Sequence, residues 1–191
     1  MNNRQKWPLG IAVFMVLSPL MLFMTGCKTP TEEEIKSAIE VINIETKWVM
    51  KEYRQWPNPI LRIVPAVSFN VKNNSPKPLQ FVNFNAIFKE KSATENRGDC
   101  FLVAIGREPV QPGSLSPTIM MKSNYGVSAS TLQAIKTSPD WGKPYIVKLF
   151  VIWKGSRQTL IGEWPMSLTI DFKEPEPVHM GVEKKVPEPK K

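Results

Sequence analysis

The sequence predicts a mainly β protein, an antiparallel β-sandwich of about seven strands with one or two short helices. Three observations lead to this prediction. Apolar and polar residues alternate in several segments, which is the two-residue repeat of a half-buried strand. Turn-forming residues separate these segments, and only two short stretches show helical spacing.

The predicted strands follow one another closely along the chain. In the first, Ile42, Ile44, Thr46, Trp48 and Met50 alternate with polar residues, and the turn at 56–59 ends it. Pro65 in the second strand requires an edge position or a bulge. The segments that predict strands cover residues 41–50, 61–74, 82–89, 100–105, 118–124, 145–153 and 160–172. Together they predict one sandwich domain over residues 41–172.

Two of the predicted strands carry the strongest expectations about burial. Residues 145–153 and 160–172 alternate in the same way on either side of a short turn, so we expect a hairpin with one deeply buried face. The run 100–105 is almost wholly apolar and predicts a short buried strand. Cys100 would then act as a small buried hydrophobic side chain.

Two short helices are predicted from their first turns. Thr31 and Glu34 have the spacing of a capping box, and acidic residues fill the turn that follows. Residues 27–40 are therefore interpreted as a tether and a short helix. Ser130 and Gln133 have the same spacing and predict a second helix over 130–137.

The first 26 residues have the layout of an export signal. Arg4 and Lys6 precede an uncharged run over residues 9–25, and Gly26 and Cys27 follow it. As a helix this run would extend roughly 25 Å, shorter than the roughly 30 Å hydrocarbon core of a bilayer. It is therefore a poor permanent membrane span.

These residues resemble the signal peptides of bacterial lipoproteins, whose cleavage box ends in a small residue followed by cysteine. The resemblance implies that residues 1–26 are removed and that Cys27 carries a diacylglyceryl group and an acylated amino terminus. Because two or three acyl chains hold far better than one, Cys27 would be a durable anchor in the lipid bilayer. Lys28 stands where aspartate would resemble an inner-membrane retention signal. The outer membrane, facing the periplasm, is favoured, with the inner membrane as the alternative.

A second resemblance covers residues 64–121. An alternating strand that ends in Asn73-Asn74-Ser75, a strand that closes on Phe88, and a Pro112-Gly113 turn resemble the immunoglobulin-like modules of the FxLyD and LEA14 (water-stress) type. The resemblance implies an immunoglobulin-like sandwich without catalytic residues. The hairpin after Tyr145 lies outside the pattern.

The charge of the chain bears on its partners. The sequence holds 25 basic and 17 acidic residues, and removal of Arg4 and Lys6 leaves a net charge of +6. These cations are spread out, so no nucleic-acid partner is expected. The proline-rich tail over residues 173–191 is predicted to be disordered, and it could attract anionic lipid or cell wall.

No catalytic, cofactor or metal site is predicted. The one histidine, His179, lies in the tail, where no packed residues would orient it for catalysis or metal binding. Asp99, Asp140 and Asp171 lie at predicted strand or loop ends, where solvated turn residues are common. Glu95 and Asp99 are the pair that a carboxylate-based hydrolase could use, and this enzyme is the least favoured alternative.

Aromatic residues are the better candidates for contact with a partner. Trp48, Trp153 and Trp164 lie on alternating apolar positions and are predicted to be core residues. By contrast, the candidates for a partner surface lie at strand ends or in loops, namely Tyr53, Trp56, Tyr125 and Trp141. The sequence thus favours a non-catalytic, membrane-anchored module that binds an envelope protein or a cell-wall component. The main alternative is a small-ligand carrier with a pocket between the sheets.

Overall fold

The computed structural model describes residues 29–176, which form two helices and nine strands. The elements in chain order are α1 (Glu32–Ala38), β1 (Ile39–Arg54), β2 (Ile60–Asn73), β3 (Val82–Glu90), β4 (Gly98–Ile105), β5 (Ile119–Lys122), β6 (Val127–Ala129), α2 (Leu132–Lys136), β7 (Tyr145–Trp153), β8 (Thr159–Pro165) and β9 (Ile170–Asp171). The predicted fold class, a mainly β sandwich with short helices, is confirmed.

The strands form two sheets. The first sheet has the order β5-β2-β1-β9, and β6 pairs with the same edge of β2 as β5 does. The second sheet has the order β4-β3-β7-β8. Neighbouring strands are antiparallel, apart from β1 and β9, which are parallel. The two strands beyond the predicted seven, β6 and β9, have three and two residues, too few to show an alternating pattern.

The main core lies between the two sheets. Every second residue of β3 and of β7 is buried, as the period of a strand requires. Phe69 of β2 and Phe84 of β3 meet with ring centroids 5.0 Å apart, and both are fully buried. Aromatic packing of this kind joins the sheets at their centre.

Pro65 lies inside β2, where the neighbouring strand changes. β2 pairs with β6 through Leu61–Ile63 and with β5 through Ala66–Phe69. The Pro65 carbonyl still accepts a hydrogen bond from the Ser123 amide at 2.9 Å. Pro65, which has no amide hydrogen to donate, therefore lies at the gap between the two partner strands. At this position no strand requires its amide, so an edge position or a bulge is not needed.

Both helices begin at capped N-termini. The Thr31 hydroxyl accepts from the Glu34 amide at 3.2 Å and the Glu34 carboxylate accepts from the Thr31 amide at 2.8 Å, so the predicted capping box is confirmed. In the second helix the cap is Thr131, which accepts from the Ala134 amide at 3.1 Å, and the prediction of Ser130 was wrong by one residue.

The prediction of one continuous strand over 160–172 was wrong. β8 ends at Pro165, and the chain then crosses to the first sheet, where β9 pairs with Trp48 and Val49 of β1. The Thr46 hydroxyl fixes the crossing, since it donates to the Pro165 carbonyl at 3.0 Å and accepts from the Ser167 amide at 2.9 Å. The alternation continued through the crossing because both halves of the segment contribute side chains to the interior.

The prediction of a buried strand over 100–105 was also wrong. β4 is an edge strand of the second sheet, and Phe101, Leu102 and Val103 are 57%, 36% and 57% exposed. Cys100 is half-buried and packs against the core from this edge. An apolar run predicts burial only when other elements cover both of its faces.

The predicted leader over 1–26, the anchoring Cys27 and residues 177–191 of the predicted tail (173–191), including His179, lie outside the described residues. Of the four tail residues that are described, Glu174 accepts a hydrogen bond from the Leu132 amide at 3.0 Å. Within 29–176, none of the helices has the length and apolar character needed to cross a bilayer.

Candidate interaction surface

The outer face of the second sheet is unusually apolar. It consists of the alternate residues that point away from the core, and its apolar members are Ile87, Phe101, Val103, Ile146, Phe150, Ile152 and Leu160. We call this surface the apolar face. Large exposed apolar surfaces on a folded domain mark contact sites more often than chance.

The strand register arranges the apolar face in rows. One row runs Phe101, Asn85, Phe150 and Leu160 across the four strands, and its neighbour runs Val103, Asn83 and Ile152. The two asparagines are therefore flanked by apolar side chains on both sides.

Asn85 has an unusual environment. Its side-chain oxygen is buried and has no hydrogen-bond partner within the described part of the chain. In register, Phe101 and Phe150 stand on either side of it. An unpartnered buried polar atom costs roughly 1–3 kcal/mol, so the isolated domain leaves this position unsatisfied.

The next row carries charge and runs Asp99, Ile87, Lys148 and Glu163 across the four strands. Lys148 and Glu163 lie opposite each other and form an ion pair of 2.6 Å. The charge of Asp99 is offset by Lys89, which lies in the following row opposite Ile146. The apolar face therefore has no net charge.

The outer face of the first sheet has the opposite character. Lys122, Ala66 and Lys47 form a row there, and Lys47 bonds to Asp171 at 2.8 Å. Ala66 is only 1% exposed between the two lysines. Ala66 forms a small buried cluster with Val49 and Val64 on this side, so these apolar residues are withdrawn from water.

β4 offers free backbone groups along its outer edge. Asp99 donates its amide to the Asn124 side chain at 3.1 Å and accepts from the Asn124 amide at 3.0 Å. Both bonds point away from β3. By the two-residue period of a strand, the backbone groups of Phe101 and Val103 also point away from β3. The outer backbone groups of β4 are therefore hydrogen-bonded at Asp99 and available to a partner strand at Phe101 and Val103.

Grooves lie at the end of the molecule that holds Thr29. A groove of about 640 Å³ borders the apolar face at Asn83 and Ile152, with Lys77 and Lys154 among its lining residues. A second groove of about 460 Å³ shares Lys154 and reaches Pro30. Both grooves lie on the outside of the sandwich. The alternative function, a small-ligand carrier, would instead require a pocket between the two sheets.

Two of the predicted partner residues are packed into an aromatic cluster. The Trp141 ring lies 5.2 Å from the Trp48 ring, and the Tyr53 ring lies 5.2 Å from the Phe172 ring. Tyr53 also accepts a hydrogen bond from the Gln55 side chain at 2.8 Å. Both residues contribute to the second core cluster of the domain, which closes one end of the sandwich.

The other two predicted partner residues lie elsewhere. Trp56 stands in the β1–β2 turn and is 73% exposed. Tyr125 is half-buried between β5 and β6, where its Cβ lies against the Gly98 backbone at the start of β4. The structure therefore brings Tyr53 and Trp141 into one cluster and places Trp56 and Tyr125 outside it.

The candidate carboxylates have structural partners. Asp140 bonds to Lys143 at 2.6 Å, and this lysine holds the pKa of the Asp140 carboxyl below its ordinary value. Asp171 bonds to Lys47, and Asp99 accepts from Asn124. Within residues 29–176, no group of three or more metal-ligating side chains comes together.

The apolar face was missed by the sequence prediction, although a signal was present. β7 reads YIVKLFVIW, in which Lys148 is the only charged residue. A strand that is apolar on both faces is typical of one covered on both sides. Ile146, Phe150 and Ile152 carried that second pattern, but the alternation of the buried residues concealed it.

The comparisons with known proteins name no family. No family model and no curated protein matches the chain. Among solved structures, the structural-genomics target SoR45 is 10% identical, with 78% of this chain and 96% of that chain covered and a TM-score of 0.38. The putative ApaA protein from Bordetella pertussis is 10% identical, with 68% of this chain and 93% of that chain covered and a TM-score of 0.38.

A third solved structure is more distant in shape. The ligand binding region of serine-glutamate repeat protein A of Enterococcus faecium is 16% identical, covers 69% of this chain and 100% of that chain, and has a TM-score of 0.27. Likenesses at this level do not place the chain in a family.

Proposed function

We propose that this chain is a membrane-anchored, non-catalytic envelope lipoprotein that acts as a binding or assembly module for another envelope component. Lipid on Cys27 holds the domain at a membrane, preferentially the outer membrane on its periplasmic side. The apolar face makes the contact. Anchoring confines the domain to a surface and raises its effective concentration for neighbouring partners.

One observation carries the proposal: the two outer faces of the same sandwich differ in character. The apolar face exposes Phe101 and Val103 at 57% each, while on the other face Val49, Val64 and Ala66 are at most 6% exposed and lie beside Lys47 and Lys122. If the apolar side chains served only the monomer, they would be expected to point inward. Binding of a partner would remove this surface from water, and each square ångström of apolar area buried contributes roughly 25 cal/mol before the cost of association.

Photocrosslinking in intact cells tests the proposal. A benzophenone amino acid replaces Phe101 in the full-length chain, and in a matched variant it replaces Met120, which is 41% exposed on the edge strand of the other sheet. We expect a discrete protein adduct in the membrane fraction from position 101 and none from position 120. Absence of an adduct at position 101, or equal adducts at both positions, would contradict the proposal.

A further inference from the structure

We infer that the component bound by the apolar face is a second copy of this chain, packed face to face about a two-fold axis parallel to the strands. The inference rests on the proposed function, because it names the partner of the same surface. Three features of the described residues favour a second copy.

The first feature is charge. Without Arg4 and Lys6 of the proposed leader the chain has a formal net charge of +6, so most surfaces of two copies repel each other. The apolar face is an exception, because Lys148 and Glu163 neutralise each other at 2.6 Å, Asp99 and Lys89 carry opposite charges, and the two rows that contain Asn85 and Asn83 are uncharged. An acidic partner would instead be attracted to the outer face of the first sheet, where Lys122 and Arg62 are placed.

The second feature is Asn85. An amide side chain has both donors and acceptors, so across a two-fold axis it can pair with the same residue of the other copy. Asn85 lies on an inner strand of the sheet, and its buried oxygen has no hydrogen-bond partner among residues 29–176. A rotation of the side chain toward the second copy would satisfy the unpaired group.

The third feature is the position of the anchor. Thr29 follows the proposed lipid site by two residues, a reach of about 7 Å in an extended chain. Edge-to-edge pairing of two β4 strands would be antiparallel and would place the two Thr29 ends on opposite sides of the dimer. Face-to-face packing about an axis parallel to the strands keeps both ends on one side, so both copies can be held in one bilayer.

The test uses two differently tagged copies of the full-length chain, expressed in the same cells, with the photoreactive residue at position 101. We expect an adduct of twice the monomer mass that carries both tags. Asn85→Asp places two carboxylates at the axis and should reduce this adduct at least tenfold. Met120→Glu, on the other sheet, should leave it unchanged.

The outcomes separate the inference from the function beneath it. An adduct that contains a different protein and only one tag overturns the inference and leaves the proposed function standing, whereas no adduct overturns both. A two-tag adduct that Asn85→Asp does not reduce also overturns the inference. Thermal unfolding of each variant checks that the domain is folded. If Asn85→Asp unfolds it, Leu160→Glu on the half-buried edge of the apolar face replaces it, with the same expected loss.

Discussion

Asn73 organises the turn between β2 and β3 through its side chain. Its amide nitrogen donates to the carbonyls of Lys77 and Val110 at 2.8 Å each. Its oxygen accepts from the amide and the hydroxyl of Ser75 at 2.9 and 2.7 Å. The residue is fully buried, so these four bonds use both donors and both acceptors without help from water.

Replacing this side chain should be costly. We expect Asn73→Ala to lower the free energy of unfolding by about 2–4 kcal/mol, because several buried bonds are lost together. Asn74→Ala is the matched control, since the Asn74 side chain is exposed and makes one bond to Glu40 at 2.9 Å. Urea denaturation of both variants measures the difference, and equal losses would contradict the role assigned to Asn73.

Cys100 provides a pH-dependent prediction. Burial raises the pKa of the Cys100 thiol above its ordinary value. Alkylation of Cys100 by iodoacetamide should therefore have its midpoint at higher pH in the folded chain than in urea, as followed by mass spectrometry of the Cys100 peptide. A midpoint at the same or lower pH would contradict the packing of this thiol against the core.

The same shift has a consequence for stability. Because the folded-state pKa of the thiol is raised, the folded state holds its proton more tightly than the unfolded state. The contribution of Cys100 to stability is complete below the unfolded-state pKa and is lost as the pH rises through the folded-state pKa.

The neighbouring strands β3 and β4 carry phenylalanines with opposite surroundings. Phe84 of β3 is fully buried against Phe69, while Phe101 of β4 is 57% exposed on the apolar face. A surface with a contact role should be dispensable for folding of the single domain.

Alanine substitutions separate these two roles. Phe84→Ala should lower the free energy of unfolding by about 3–5 kcal/mol through loss of buried area and formation of a cavity. Phe101→Ala should lower it by less than about 1 kcal/mol, because its side chain is mostly in water already. Denaturant unfolding of the monomeric protein at low concentration measures both. A large loss for Phe101→Ala would assign this residue to the core.

The structures that depend on nearby residues could be predicted from the sequence. The capping box of α1 needs only Thr31 and Glu34, and the β7–β8 hairpin joins adjacent alternating segments. The exposure of β4 could not be predicted in the same way. It depends on which strands lie beside it, and the partner that ties its end, Asn124, is 25 residues away in the chain.

The candidate site shows the same limit. Trp48 and Trp141 meet only because α2 and the loop after it close one end of the sandwich. The sequence indicated that Trp141 was an aromatic residue available to a partner. It could not indicate that Trp141 packs against the ring of Trp48. The apolar face likewise requires the order β4-β3-β7-β8, which brings segments before and after α2 side by side.

The whole molecule has two distinct ends and one distinct side. α1, Thr29 and the two described grooves lie at one end, and the exposed Trp56 turn follows the far end of β1. The apolar face runs along the side between them. In the proposed arrangement the first end lies near the bilayer, the apolar face meets its partner laterally, and the Trp56 turn points away from the membrane.

Mass spectrometry of the amino-terminal peptide of the native, membrane-extracted protein tests the proposed anchoring most directly. The account predicts a chain that begins at Cys27, with a diacylglyceryl group on the sulfur and an acyl group on the amino nitrogen. A chain that retains residues 1–26, or one in which Cys27 carries a free thiol, would contradict it.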